Sequence, residues 1–280
     1  NNVAIGREAL RANTTASNIT AVGFNSLLAN TTGASNVAVG TNSLLTMTTA
    51  SFNVAVGHNA LRTSNGARNV GVGNDAGRSI TSGIQNIALG DDAMYNVTTG
   101  SSNVALGHDA LFTATTTSNN TAIGVNALRV GTGSQNTAVG FQAMFGTTTG
   151  VSNTAVGYSA LGSAATTASY LTAVGRNALR YNTSGSSNVA LGYNTLEDNT
   201  TGGSNTAVGT SALAQNTTAS NNTAIGKSAL TANTTGAQNT AVGTSALAAN
   251  TTASNNTVMG YNAGDNITTS PSNTIMGQNA

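Results

Sequence analysis

Asn205-Thr206-Ala207-Val208-Gly209-Thr210-Ser211-Ala212-Leu213-Ala214-Gln215-Asn216-Thr217-Thr218-Ala219-Ser220-Asn221 is followed at once by Asn222-Thr223-Ala224-Ile225-Gly226-Lys227-Ser228-Ala229-Leu230, and one step later by Asn239-Thr240-Ala241-Val242-Gly243. The step is seventeen residues, and it extends outward in both directions. The same glycine returns at Gly6, Gly23, Gly40 and Gly57, at Gly124 in mid-chain, and at Gly209, Gly226 and Gly243. Of the sixteen gaps between seventeen such glycines, thirteen are 17 residues, two are 16 and one is 18, so the phase is never lost. A short fixed period means one structural unit stacked on copies of itself. The expectation is an all-β chain, a parallel β-solenoid of about 17 coils.

Each column of the repeat has a physical reading. The four residues ahead of the glycine alternate in character, favour β-branched side chains and end at a turn residue, which is the pattern of a strand. The residue just before the glycine, as in Val208, Ile225 and Val242, is apolar in every coil and is expected to point into a core. The Ala-Leu pair that follows, as in Ala60-Leu61 and Ala246-Leu247, reads as a second short strand, with a single helical turn as the competitor. The glycine answers a need for positive φ or close backbone approach once per coil. Asn precedes the strand in fifteen of seventeen coils, Asn205, Asn222 and Asn239 among them, with Ile19 and Leu171 the exceptions. In a parallel stack these side chains sit about 4.8 Å apart and can hydrogen-bond up the column.

Stacking also explains the scarcity of charge. Like charges in adjacent coils repel by on the order of 1 kcal/mol even in water, and the few charged residues cluster just after the glycine or past the Leu, in columns expected to face solvent. The Asn-Thr-Thr-(Gly/Ala) tract is turn chemistry and reads as an exposed corner that absorbs the changes in length, as at Ser64-Asn65-Gly66 and Ala164-Ala165-Thr166-Thr167. A column of Ala, with Ala4, Ala21 and Ala38 at its start, lies on the other face of the strand. Small side chains repeated this way allow a second chain to approach, which argues for a parallel homo-oligomer; the alternative is that Ala fills a narrow interior.

Composition narrows the function classes. The repeat runs from residue 1 to 280 without a break, so the chain is expected to be a single repeat domain, and its start and stop within repeats suggest a segment of a longer fibrous chain. Nine Lys and Arg against eight Asp and Glu give a net charge of +1, which offers no footprint for nucleic acid and no polybasic patch for a membrane. No apolar run is long enough to insert in a membrane. With no Cys there are no disulfides and no thiolate metal sites.

The Asn-Thr-Ala-Val-Gly-x-x-Ala-Leu unit at Asn205 to Leu213, Asn222 to Leu230 and Asn239 to Leu247 resembles the YadA-like head repeats of trimeric autotransporter adhesins, and is similar to repeat tracts in bacteriophage tail fibres. The resemblance covers essentially the whole chain, although the family's usual unit is shorter and its connecting loop differs. It implies a left-handed parallel β-roll, three chains side by side as a parallel homotrimer, and a role in attachment. That places the chain outside the cell, on a cell surface or virion, with a host-cell surface, matrix or glycan receptor as a further partner.

Reactive chemistry is sparse. His58 and His108 follow the period glycine three coils apart, about 14 Å along a stack and too far to share a metal within one chain. They read as surface histidines, a ring of symmetry-related copies being the sharper alternative. Asp91 and Asp92 are adjacent, so on a strand they would point to opposite faces and could not act as a pair. Gly71-Val72-Gly73-Asn74-Asp75-Ala76 mimics a dinucleotide-binding fingerprint without the surrounding βαβ unit. Calcium-binding solenoids need an Asp in every repeat, and this chain has six in all. Asn13-Thr14-Thr15 and Asn233-Thr234-Thr235 are formal glycosylation sequons that arise from the corner repeat. The reading is therefore non-enzymatic, with no catalytic, cofactor-binding or metal residue: a structural and adhesive fibre segment. The alternatives are a self-assembling extracellular filament or matrix protein, and an ice-binding solenoid using Thr206, Thr223, Thr240 and Thr257, against which stands the alternation of Val with Thr in that column.

Overall fold

The computed structural model describes residues 1–162 and 165–280. The chain divides into two units, Asn1–Asn136 and Thr137–Ala280. The first holds strands β1 (Asn2–Ile5), β2 (Ile19–Val22), β3 (Val37–Val39), β4 (Val54–Val56), β5 (Val70–Val72), β6 (Ile87–Leu89), β7 (Val104–Leu106) and β8 (Thr121–Ile123). The second holds β9 (Thr137–Val139), β10 (Thr154–Val156), β11 (Thr172–Val174), β12 (Val189–Leu191), β13 (Thr206–Val208), β14 (Thr223–Ile225), β15 (Thr240–Val242), β16 (Thr257–Met259) and β17 (Thr274–Met276). Within each unit every strand pairs in parallel with the next, in the register the period dictates. Val22 lies beside Val39 and Val39 beside Val56 in the first unit; Val208 lies beside Ile225 and Ile225 beside Val242 in the second. Each unit is a parallel β-solenoid whose coils are one repeat long.

There is one strand per coil among the described residues, not two. The residues after the glycine run as a stack of turns. Leu213 donates its N–H to the carbonyl of Ala229 in the following coil at 2.9 Å, while Ser211 donates back to Tyr193 at 2.9 Å. Two residues of this turn are left-handed: Ser211 has φ +55° and Leu213 φ +53°, and the same pair recurs at Ser228 (+57°) and Leu230 (+51°). Left-handed backbone costs a Leu roughly 1–2 kcal/mol, and burying its side chain returns about 2–3 kcal/mol. Leu213 and Leu230 are fully buried, so burial wins.

The strand is turned inside out relative to the sequence reading. From β2 to β16 the middle residue of the strand, the Ala column of Ala21, Ala38, Ala207 and Ala224, is fully buried, whereas the pre-glycine column faces outward. Ile225 is 41% exposed, and Val208 and Val242 are half-exposed rather than core residues. The reason is width. A coil with one strand facing a turn brings the strand so close to the turn that the strand position facing the Leu is Ala in most coils; a second large side chain enters only at the ends of the strand or turn, as at Ile19, Met47 and Val97. Ala therefore fills a narrow interior.

In two coils the Leu position is glycine and neighbouring side chains take the space. Where the Leu position is Gly77, a side chain there would come within 2.7 Å of Leu61 Cδ2 and 3.0 Å of Ile80 Cδ1. Ile80, fully buried, occupies a column that holds Asn in coils such as those of Asn30 and Asn216. Where the Leu position is Gly264, the space is taken by Val258 in the Ala column and by Ile267, within 3.3 Å and 3.5 Å of a would-be Cβ.

The corner tract is only half exposed. Its Asn is fully buried at Asn30, Asn182, Asn199, Asn216, Asn233 and Asn250, and its fourth residue is buried as Gly33, Ala219 or Ala253; the Thr pair alone meets water. Ala164, part of the stretch read as absorbing the longest coil, lies outside the described residues.

Candidate functional site

Three features could carry function: the columns of polar ladders, the charged edge of the first unit, and the outward face of the sheets. The period glycines belong to the scaffold. Gly6 has φ +127°, Gly124 +127° and Gly226 +133°, and a Cβ on Gly23, Gly40, Gly57, Gly209, Gly226 or Gly243 would lie within 2.3–2.7 Å of the carbonyl oxygen of the next coil's glycine. Both reasons read from the sequence apply at once: a backbone angle L-residues rarely adopt, and backbone packed on backbone.

Asn205, Asn222 and Asn239 also build the scaffold, by a route slightly different from an amide ladder. The Oδ1 of Asn205 accepts the backbone N–H of Asn222 at 2.9 Å, and Asn222 does the same for Asn239 at 2.9 Å. The Nδ2 of Asn205 turns inward to the carbonyl of Ala219 at 2.9 Å, fourteen residues on. Asn205 thus closes its own coil and ties it to the next, and Asn239 closes its coil on Ala253 in the same way; the Nδ2 of Asn222 is buried without a partner. Ile19 and Leu171, where Asn is missing, still donate their N–H to Asn2 and Asn153 of the preceding coil. The continuous amide-to-amide ladder is in the corner column: Asn199 to Asn182 at 2.6 Å, Asn216 to Asn199 at 2.7 Å, Asn233 to Asn216 at 3.1 Å and Asn250 to Asn233 at 2.8 Å. It stops at Ile267, and the Oδ1 of Asn250 is left without a partner. Asn233 is buried in this ladder, so its sequon presents no amide to a glycan-transferring enzyme in the folded chain.

The charged edge gathers residues that the sequence scattered. His58 Nδ1 lies 3.0 Å from Asn74 Oδ1, Asn74 donates to Asp91 at 2.9 Å, and His108 Nε2 lies 3.8 Å from Asp91, so the two histidines are the ends of one column. Asp91 and Asp92 are in the turn after Gly90, not on a strand. Asp109 is tucked beneath Arg129, whose Nε approaches to 2.9 Å, and Asp75 pairs with Arg78 at 3.4 Å. The carboxyl of Asp92 is held above the usual carboxylate range, first by burial and then by the negative charges of Asp91, Asp75 and Asp109, with His108 opposing. Among the described residues no set of three His, Cys, Asp or Glu side chains could hold a metal ion, and no pocket opens. Gly71 of the mock fingerprint sits in mid-β5, where a Cβ would press on Leu61 at 2.8 Å.

Aligning the aromatics by column would have revealed one further element. Arg78, Tyr95, Phe112 and Arg129 occupy one column in four successive coils. Tyr95 and Phe112 stack at 5.4 Å, with Arg78 over the first ring at 5.1 Å and Arg129 over the second at 5.2 Å. In the second unit Phe141 and Tyr158 stack at 5.3 Å, and Arg176 lies over Tyr158 and Tyr193. Each of these rings has at least one face against another ring or a guanidinium.

The outward sheet face is different, because none of the described residues covers it. Two columns point away from the core, the first residue of each strand and the pre-glycine residue. Val56 is 37% exposed, Leu106 46% and Met259 49%. No charged side chain stands in either column. Rows of aliphatic side chains without a cover mark a contact surface more often than a solvent face. No helix is long and apolar enough to cross a membrane among the described residues. The chain matches no family model and no curated protein sequence.

Proposed function

We propose that the chain is a non-enzymatic structural and adhesive fibre segment in which parallel copies, three by the repeat's resemblance to YadA-like heads and tail fibres, pack through the outward Val, Ile and Leu columns. The observation that carries this reading is the inverted strand: Ala is inside, and the larger aliphatics, at 41% exposure for Ile225 and 46% for Leu106, are outside. A chain with so few charges gains little by presenting these residues to water. A second copy repeats their spacing coil for coil and brings no like charges together. Attachment, an extracellular, cell-surface or virion location, and a matrix or glycan receptor belong to the same proposal.

Sedimentation equilibrium tests it. The proposal expects a mass of three chains at micromolar concentration; one chain at every concentration refutes it. Open-ended growth would support the filament alternative instead. The ice-binding alternative draws on the Thr206, Thr223, Thr240 and Thr257 column, which is in register and outward; thermal hysteresis would be required of it.

A further inference from the structure

The outward face is not uniform. In β3 to β7 both outward positions are branched aliphatics, as in Val54 and Val56, Val70 and Val72, and Val104 and Leu106. In β13 to β17 the first outward position is Thr in every strand. The ten aliphatics of β3 to β7 form a continuous row, with Val56, Val72, Ile87 and Leu106 exposed at 37%, 38%, 38% and 46%, and contiguous apolar rows of this kind mark contact surfaces.

We infer that the β3–β7 face of the first unit is the principal self-association surface, its occupant the same face of a second, parallel copy of the chain, and that the Thr-lined face of the second unit adds little affinity. This rests on the reading that copies of the chain cover the sheet. The occupant follows from three observations. The ten side chains include no charge, so like meets like without repulsion. Their two columns repeat at the strand spacing, which only a partner with the same strand spacing can match along five successive coils. Among the described residues no pocket opens that could seat a helix, and the residue between the two columns is buried Ala38, Ala55, Gly71, Ala88 or Ala105. In the second unit each Thr hydroxyl must be dehydrated to make the same contact, which offsets the gain from the neighbouring Val.

The test compares two sets of four substitutions in the full chain. One set is Val54→Thr, Val70→Thr, Ile87→Thr and Val104→Thr. The other is Val189→Thr, Val208→Thr, Ile225→Thr and Val242→Thr. The first set installs the residue that Thr20 and Thr121 already place in that column, so the strand tolerates it. The concentration of half-dissociation, read by sedimentation, should rise at least about a hundredfold for the first set and less than about tenfold for the second. Equal effects, or a larger effect for the second set, overturn the inference while leaving self-assembly intact. A wild-type chain that sediments as a monomer throughout overturns the reading beneath it. Should the first set fail to fold, the gain-of-contact set Thr206→Val, Thr223→Val, Thr240→Val and Thr257→Val decides: it should tighten assembly at least about tenfold, and no tightening overturns the inference.

Discussion

A methyl group on Gly226 would stand 2.4 Å from the carbonyl oxygen of Gly243, at a φ of +133°. Gly226→Ala therefore combines a forbidden backbone angle with a clash against backbone that cannot move without opening the next coil. It should cost about 3 kcal/mol or more, read as a lowered denaturant midpoint. Ser228→Gly, two residues on, should stabilise by up to about 1 kcal/mol, because φ +57° suits glycine better than serine. A third substitution tests the ladder. Asn216 donates to Asn199 at 2.7 Å and to the Ala219 carbonyl at 3.0 Å, and accepts from Asn233 at 3.1 Å. Asn216→Ala strands these groups in a dry interior and should cost about 2–4 kcal/mol. The glycine was legible in the sequence because only backbone demands explain a residue that never varies while its neighbours on both sides do. The corner Asn was not, because Asn-Thr-Thr-Gly is equally the composition of a surface turn; burial of the Asn is decided by the coil in front of it.

At the scale of the element, the strand itself was plain and its orientation was not. Alternation across Thr206-Ala207-Val208 separates two faces, but both candidate core columns are apolar, so the pattern is silent about which is inside. The deciding quantity is interior width, set by the turn that faces the strand, and that turn rests on the left-handed Leu at positions such as Leu213, which no composition rule anticipates. Adjacent apolar residues in a short segment likewise cannot distinguish a strand from a turn. The charged edge carries its own test. The Asp92 carboxyl is held above its ordinary range by burial, then by Asp91, Asp75 and Asp109, so folding favours its neutral form. This contribution is full below the unfolded carboxylate range and is lost as pH rises through the raised value. Asp92→Asn should raise the melting temperature at neutral pH and leave less gain on acidification through the carboxylate range; a wild-type-like pH dependence in the variant would contradict the assignment.

For whole molecules the period settled the architecture of each unit, and the structure changed where association is expected to occur. The sequence reading placed the approach of a second chain on the Ala column. That column is inside, and the pre-glycine column expected in the core is on the surface, so the argument for assembly moves to the opposite face and strengthens, since Ile225 or Leu106 offers more area than Ala. The chain contains no Cys, so single thiols report cleanly on each face. Thiol labelling of Val72→Cys in the assembled protein, with Thr235→Cys at the exposed corner as reference, is the most direct check. The account predicts that the thiol at position 72 reacts at least about a hundredfold more slowly than the corner thiol and is released when dilution dissociates the assembly. Equal reactivity at the two positions, at concentrations where the chain is folded, would mean that the outward columns stay open to water and that no copy covers them.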